Sequence, residues 1–184
     1  MDISLFYLIN QGLQNRFLDF FMPILSRESY FRLPLLLAWI SLLIWGRQKG
    51  RLVALLALLL LLFSDQVSYL LKLLIKRPRP CQVLPQVHLL LGCSRSYSFP
   101  SNHAANVFAL GAYLSYFYRW LLIPALVVGL GVALSRVYVG VHYPSDVLGG
   151  IGIGLLCATL MIFLHRGILV CWERRRRASE SNHA

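Results

Sequence analysis

Long apolar runs separated by short polar segments dominate the chain and predict a membrane protein. Five of these runs come close to the about 20 apolar residues that a helix needs to cross a bilayer. They occupy residues 30–46, 52–76, 103–118, 120–138 and 144–171. We therefore expect five transmembrane helices joined by short connections.

The N-terminal segment, residues 1–28, has a different pattern. Apolar residues at 3–9 and 17–24 flank a polar run at 10–15, which is typical of amphipathic helices that lie in the membrane interface. We expect two short interfacial helices here, and the alternative is a sixth, broken span. The predicted fold class is an all-α integral membrane bundle of five to six transmembrane helices with short amphipathic N-terminal helices.

The composition supports this prediction and affects how the net positive charge is interpreted. The 184 residues are 58% hydrophobic and 14% charged, whereas soluble domains contain about 25% charged residues. A net charge of +11 would suggest nucleic acid in a soluble protein, but these basic residues lie in short segments between apolar runs. We therefore expect membrane lipids as partners and no nucleic acid, while the oligomeric state stays undefined. One transmembrane domain is predicted at 1–172, followed by a basic cytoplasmic tail at 173–184.

Basic residues also predict the orientation, because positively charged connections tend to stay in the cytoplasm. The basic connections on one side contain Arg47, Lys49, Arg51, Arg119 and the run Arg174 to Arg177. With five spans, residues 77–102 and 136–143 then lie on the extracytoplasmic side. The cations that remain on that side break the rule, which suggests that they serve another purpose.

The cysteines give little sign of a metal site. Cys81 and Cys93 flank one extracytoplasmic loop, where a disulfide and two free thiols are both open. Cys157 and Cys171 lie in or beside the last apolar run, and we expect them to serve packing. The four cysteines form no Cys-x-x-Cys pair and no cluster with histidine, so the sequence predicts no zinc site.

Three groups of polar residues fall at helix ends on the extracytoplasmic side. The groups are Lys72-x6-Arg79-Pro80, Pro100-Ser101-Asn102-His103 and Ser135-Arg136-x5-His142-x3-Asp146. This side has a surplus of positive charge from Lys72, Arg79 and Arg136. Lysine and arginine side chains both bind phosphate. Pro100 and Ser101 are typical of a helix start, where free amides bind anions. The pattern therefore predicts a phosphate site.

Two histidines in these groups are candidates for phosphoryl transfer. Asp146 follows His142 by four residues, so one helical turn brings its carboxylate to the ring. A carboxylate on one ring nitrogen leaves the lone pair of the other nitrogen free to attack. We expect His142 to be a nucleophile that forms a phosphohistidine, and His103 to protonate the leaving oxygen.

Together the three groups resemble the signature of the type 2 phosphatidic acid phosphatase superfamily, K-x6-R-P, P-S-G-H and S-R-x5-H-x3-D. Their order, their spacing and the surrounding apolar helices agree over about residues 50–165. The resemblance implies a metal-independent phosphatase with no cofactor. It implies phosphate binding by Lys72, Arg79, Ser101, Arg136 and the amide of Asn102, and catalytic roles for His142, His103 and Asp146. Asn102 stands where the family has glycine; asparagine tolerates positive φ well, so we expect activity to survive.

Other polar residues have simpler interpretations. Those expected to be interfacial cations that reach towards headgroups are Lys76, Arg77 and Arg95. Asp65 shares a helix face with Ser68 and Lys72, and we expect this face to line the bundle interior. Asp65 is then a buried, hydrogen-bonded acid, and the alternative is a partner for a site cation. The residues that mark a small-residue face for close helix packing are Gly149, Gly150, Gly152 and Gly154.

The resemblance implies hydrolysis of phosphate from a bacterial envelope lipid at the outer face of the inner membrane. Family members of this size are similar to undecaprenyl diphosphatases, lipid A 1-phosphatases and phosphatidylglycerophosphate phosphatases. We expect undecaprenyl diphosphate or lipid A 1-phosphate first and phosphatidylglycerophosphate next. One alternative is a vanadium haloperoxidase-like enzyme, which shares the motifs but is soluble. The other is a non-enzymatic lipid carrier, which would have no need of both histidines.

Overall fold

The fold is entirely helical within residues 1–181, which are the residues that this computed structural model describes, with side chains through residue 175. The helices are α1 Asp2–Asn10, α2 Arg16–Ser26, α3 Ser29–Trp45, α4 Gln48–Ile75, α5 Pro80–Val83, α6 Asn102–Phe117, α7 Leu122–Tyr138 and α8 Pro144–Ser181. The all-α prediction is confirmed. Because α8 continues to Ser181, part of the predicted tail is helical, and residues 182–184 lie outside the described residues.

The N-terminal segment forms the two short helices that its pattern predicts. Asn15 begins α2 because its side-chain oxygen accepts a hydrogen bond from the amide of Leu18 at 2.9 Å. α2 and α3 then meet at a bend of 47°. We call the residues at this bend, Ser26 to Glu28, the α2–α3 joint.

Within residues 1–181, α4, α7 and α8 are long and apolar enough to cross a membrane. The bent pair α2 and α3 adds a fourth crossing if it counts as one span. α6 has 16 residues, so it is about 24 Å long at 1.5 Å per residue, which falls short of the about 30 Å of a hydrocarbon core. Length and composition therefore support three or four spans, fewer than the predicted five or six.

α6 lies at the centre of the bundle and packs against α4, α7 and α8. A methyl group added at Gly150 would lie 2.5 Å from the carbonyl oxygen of Ser101, and one at Gly154 would clash with that of Ala105. Only glycine allows this approach, so the predicted close packing is confirmed for these two positions. It brings the start of α8 directly against the start of α6.

The connection between α4 and α6 crosses the end of the bundle at which α4 ends and α6 begins. Lys76 ends α4 in the left-handed conformation, with φ of 51°, and turns the chain back over this end. A disulfide between Cys81 and Cys93 closes the outer part of the connection, with 6.1 Å between the two Cα atoms. The loop left open by the sequence is thus bridged in the structure.

Candidate active site

The three polar groups meet at this end of the bundle. Within the described residues, the predicted site residues that lie almost fully inside the protein, with at most 8% of their surface exposed, are Lys72, Arg79, Ser101, Arg136, His142 and Asp146. His103 is half-buried beside them, with 23% of its side chain exposed. Asn102 opens α6 next to Ser101. All eight predicted site residues therefore lie at one end of the fold, although their side chains do not all point to the same place.

His142 is buried and neutral, and its two ring nitrogens have different neighbours. Nδ1 lies 3.6 Å from Oδ2 of Asp146, and Nε2 lies 3.1 Å from Nη1 of Arg79. A guanidinium only donates hydrogen bonds, so Nε2 accepts and keeps its lone pair while Nδ1 carries the proton. Burial is the main reason that the pKa of His142 falls to about 3. At neutral pH Nε2 is therefore unprotonated, and its lone pair accepts the hydrogen bond from Arg79 in this structure.

Asp146 is a fully buried carboxylate held from several directions. Its Oδ1 accepts a hydrogen bond from Nη1 of Arg77 at 2.7 Å. Its Oδ2 accepts one from the amide of Tyr143 at 2.8 Å and another from the hydroxyl of Ser98. A buried charge is stable only with such partners, and together they fix the carboxylate next to His142.

Arg77 belongs to this network, so its interpretation as a cation that reaches for headgroups is wrong. Its Nη1 bonds Asp146, its Nη2 donates to Oδ2 of Asp2 at 2.6 Å, and its guanidinium carbon lies 3.9 Å from the ring centre of Tyr143. Arg77 and Arg79 both precede proline, which favours extended backbone. Residues two apart on an extended chain point to the same side, and this signal in the sequence could have identified Arg77.

Asp2 ties helix α1 to the same network. Its carboxylate accepts hydrogen bonds from the amide of Ser145 at 3.1 Å, from the hydroxyl of Ser145 and from Arg77. Burial raises the pKa of Asp2, but the hydrogen bonds from Ser145 and Arg77 outweigh this effect and leave the pKa below its usual value. The start of the chain therefore braces the start of α8.

Two of the predicted phosphate-binding cations hold loop carbonyls in this structure. The ammonium of Lys72 donates to the carbonyl oxygens of Tyr97, Ser98 and Pro100 at 2.9, 3.3 and 2.6 Å. Arg79 donates to the carbonyl oxygens of Ser96 and Val141 at 2.8 and 3.0 Å, in addition to His142. These contacts fix the loop that leads into α6.

Arg136 and Ser101 have unused donors in the buried site. Arg136 donates from Nη1 to the carbonyl oxygen of Ser26 at 3.1 Å, but its Nε has no hydrogen-bond partner among the described residues. The hydroxyl of Ser101 is buried and lacks a described partner as well. Buried polar groups are usually paired, so unused donors beside a helix start indicate a place for an anion.

Asn102 fits its position without the backbone freedom of glycine. The non-glycine residues with positive φ in the described chain are Lys76 and Gln86, so Asn102 has an ordinary helical backbone. Its side chain donates to Oδ1 of Asp65 at 3.2 Å, and Asn106 donates to the same oxygen at 2.8 Å.

Asp65 is hydrogen-bonded as expected but exposed rather than buried, which corrects that part of the prediction. Ser64, Ser68 and Lys72 are the buried residues of this part of α4. They follow each other at intervals of four, so they form one helix face. Asp65 lies one position further round, at the seam between α4 and α6, where the two asparagines reach it.

Glu28 contacts His103 and was missed in the sequence. Its Oε1 lies 3.2 Å from Nε2 of His103, although 75 positions separate the two residues along the chain. The chain has only seven acidic residues. Scarcity of this kind is the one signal that could have drawn attention to an acid between two apolar segments.

Comparison with known proteins agrees with this geometry. The sequence model of the PAP2 superfamily matches residues 51–168, which is more than half of the chain. This protein therefore belongs to the PAP2 superfamily. The match contains all three polar groups.

Several characterised proteins are similar to this chain. Undecaprenyl-diphosphatase BcrC of Bacillus subtilis (strain 168) is 29% identical over 146 residues, which are 79% of this chain and 74% of that protein. Phosphatidylglycerophosphatase B of the same organism is 36% identical over 123 residues, 60% of this chain and 56% of that protein. Lipid A 4'-phosphatase of Bacteroides thetaiotaomicron is 29% identical over 176 residues, 89% of this chain and 76% of that protein.

A solved structure has the same fold. The transmembrane PAP2 type phosphatidylglycerolphosphate phosphatase from Bacillus subtilis superposes with a TM-score of 0.72 and 29% identity. The match covers 90% of this chain and 87% of that one. The helical membrane architecture is therefore shared over nearly the whole length.

Proposed function

We propose that this protein is a membrane phosphatase that removes phosphate from a bacterial envelope lipid through a histidine nucleophile. The observation that carries the proposal is the setting of His142: the ring is buried, burial lowers its pKa to about 3, and Arg79 contacts its Nε2 at 3.1 Å. A phosphate drawn to the guanidinium would lie beside the attacking atom. Membership of the PAP2 superfamily supports the same activity.

Phosphate binding is assigned to Lys72, Arg79, Ser101, Arg136 and the amide of Asn102. The unpaired Nε of Arg136 and the unpaired hydroxyl of Ser101 support this assignment, because a bound phosphate would satisfy both donors. Lys72 lies beneath the loop and contributes charge to the site. Preorganised donors of this kind stabilise the charge that develops during phosphoryl transfer.

The reaction proceeds in two displacements. The Nε2 lone pair of His142 attacks phosphorus, so that a P–N bond forms while the bond to the leaving oxygen breaks and His103 gives that oxygen its proton. Water then attacks phosphorus, His103 takes a proton from the water, and the P–N bond breaks to release phosphate. Asp146 orients His142 and supports its positive charge in the intermediate, by the logic of catalytic triads. Both histidines end the cycle in their starting states.

The substrate is assigned to the lipid phosphates of the cell envelope. Undecaprenyl diphosphate and lipid A 1-phosphate come first, and phosphatidylglycerophosphate comes next. The relatives named for undecaprenyl diphosphate, phosphatidylglycerophosphate and lipid A support this range. A panel of these lipids in detergent, assayed for phosphate release, would rank them.

The site is assigned to the periplasmic side of the inner membrane. In a variant with serine at Cys81, Cys93 and Cys171, a cysteine placed at Leu89, which is 42% exposed, should react with an impermeant thiol reagent in intact spheroplasts. The buried Cys157 serves as the internal background. Labelling only after the membrane is opened would reverse the orientation.

His142→Ala tests the mechanism. We expect purified His142→Ala to lose phosphate release by at least about 10³-fold, because no other group can form the intermediate. His88→Ala is a matched control, since His88 lies at the same end of the bundle but bonds Asp19 at 2.9 Å. Alkaline quench of the wild type with radiolabelled substrate should recover phosphohistidine at position 142. Normal turnover by His142→Ala would refute the mechanism.

A further inference from the structure

Glu28 is the acid that faces His103. Its Oε1 lies 3.2 Å from Nε2 of His103, and 55% of the Glu28 side chain is exposed. Asp146, which the sequence places in the third polar group, is occupied on the other side of the site by His142, Arg77 and Ser98. The proposed general acid therefore has its own carboxylate partner, and this partner comes from outside the three polar groups.

The α2–α3 joint holds Glu28 in place through Ser26. The carbonyl oxygen of Ser26 accepts a hydrogen bond from Arg136 at 3.1 Å, and the hydroxyls of Ser26 and Ser135 lie 2.8 Å apart. Ser26 is 3% exposed. The position of Glu28 is thus determined by the same segment that carries Arg136, because two buried contacts tie the joint to the end of α7.

A carboxylate next to His103 counteracts the positive charge of the neighbouring arginines. Arg79 and Arg136 both lie close enough to His103 to act on its charge. Their positive charge opposes a further positive charge on the ring, yet a general acid has to carry a proton when the leaving group departs. A carboxylate within hydrogen-bond distance opposes part of this repulsion and helps to fix the orientation of the ring.

We propose that Glu28 is a positioning residue for His103, holding the ring and its proton ready for the leaving oxygen. The inference rests on the proposed function, since it assigns a partner to the acid of that reaction. It also gives the amphipathic N-terminal segment a part in the chemistry, because α2 delivers Glu28 to the site. The competing view is that Glu28 makes only a surface ion pair with Arg32, at 3.3 Å and with both side chains more than half exposed.

Leaving-group dependence separates these two roles. A lipid alkoxide is a poor leaving group and needs the proton, whereas p-nitrophenolate leaves without one. We expect Glu28→Gln to lower kcat about 10-fold to 100-fold for a lipid phosphate with an alkoxide leaving group, as part of the 10²–10⁴-fold that general acids contribute. The same variant should hydrolyse p-nitrophenyl phosphate within about twofold of the wild type. Glu28→Asp should recover part of the loss on the lipid.

Arg32→Gln is the matched control, because it removes the exposed partner of Glu28 and leaves the contact with His103. It should behave like the wild type with both substrates. Equal losses of Glu28→Gln on both substrates would mean that Glu28 stabilises only the fold. No loss on either substrate would mean that Glu28 contributes neither to the fold nor to proton transfer. Both results overturn the inference.

His103→Ala and His142→Ala distinguish failure of the inference from failure of the proposed function. The proposed function requires His142→Ala to fail on both substrates and His103→Ala to fail mainly on the lipid. If both hold while Glu28→Gln shows no leaving-group dependence, only the inference about Glu28 is wrong. If His142→Ala still turns over p-nitrophenyl phosphate, the proposed function itself is wrong.

Discussion

The two histidines of the site are held in opposite ways. His142 is 2% exposed and its partner Asp146 is fully buried, whereas the side chain of His103 is 23% exposed and that of its partner Glu28 is 55% exposed. The partner of His142 lies four residues away on the same segment, and the partner of His103 comes from another part of the chain. We call these the nucleophile side and the acid side of the site.

The difference fits the proposed chemistry of each side. A nucleophile has to keep its lone pair and its direction, which a dry and closely packed surrounding supports. A general acid gives up and regains a proton in every cycle, which suits a half-exposed position at the α2–α3 joint. We therefore expect changes on the nucleophile side to affect all substrates, and changes on the acid side to depend on the leaving group.

Asp146→Asn should produce the largest effect on the nucleophile side. The amide keeps the shape of the side chain but loses the negative charge that supports His142, and the comparable change in a catalytic triad lowers kcat about 10⁴-fold. We expect a loss of about 10³-fold or more in phosphate release from both p-nitrophenyl phosphate and a lipid phosphate. A thermal melt in detergent checks that the fold survives. A loss confined to the lipid substrate would place Asp146 with the acid side.

Arg77→Gln should produce an intermediate effect on the same side. Arg77 bonds Oδ1 of the buried Asp146 at 2.7 Å, and a hydrogen bond to a charged group contributes about 1.5–3 kcal/mol. We expect phosphate release by Arg77→Gln to fall by about 10-fold to 100-fold with both classes of substrate. Phosphate release by Arg77→Lys should fall by a smaller factor. Lys76→Gln, a change at the exposed neighbouring residue, is the control and should keep wild-type turnover. Normal activity of Arg77→Gln would show that Asp146 is held well enough without it.

The pH dependence of stability should show a smaller effect of His142. Its pKa is about 3 in the folded protein, against about 6.5 for an exposed histidine, so between these values only the unfolded chain binds the proton. Stability therefore falls as the pH is lowered through this window, and His142 contributes a loss of about 2 kcal/mol between pH 7 and pH 5.

Melting of the wild type and of His142→Gln in detergent measures this contribution. Between pH 7 and pH 5 the wild type should lose more stability than the variant, equivalent to about 4–8 °C in Tm for a chain of this size. Identical pH slopes for the two proteins would mean that the ring of His142 takes up a proton in the folded state and is not held neutral by burial.

Local spacing made much of the site predictable. His142 and Asp146 are four residues apart, and helix starts at residues 102 and 144 follow from Pro100, Ser101 and Pro144. Hydrophobic runs likewise predicted the places of α3, α4, α6, α7 and α8, because burial in lipid demands long apolar segments. The lengths of these runs did not predict how many helices are long enough to cross alone, since a central helix such as α6 is surrounded by other helices and has less need of the full length.

Contacts between distant parts of the chain were not predictable in this way. Arg77 reaches Asp146 because the chain turns back at Lys76, and Asp65 faces the seam rather than the interior because α4 presents Ser64, Ser68 and Lys72 inwards. The two prolines could mark Arg77 as a residue that points to the same side as Arg79, but spacing alone names neither its partner Asp146 nor the direction in which Asp65 faces. Both depend on the rotation of a helix or the path of a loop relative to its neighbours.

The sequence by itself determined the membrane character, the helical class and the eight residues of the candidate site, because apolar run length and motif spacing are local properties. Tertiary structure alone decided which acid lies against His103. His142 receives a carboxylate from its own helical turn, but Glu28 reaches His103 across 75 positions because Ser26 docks on Arg136 and Ser135. Helix packing determines that distance, and packing depends on all the surfaces that meet at once.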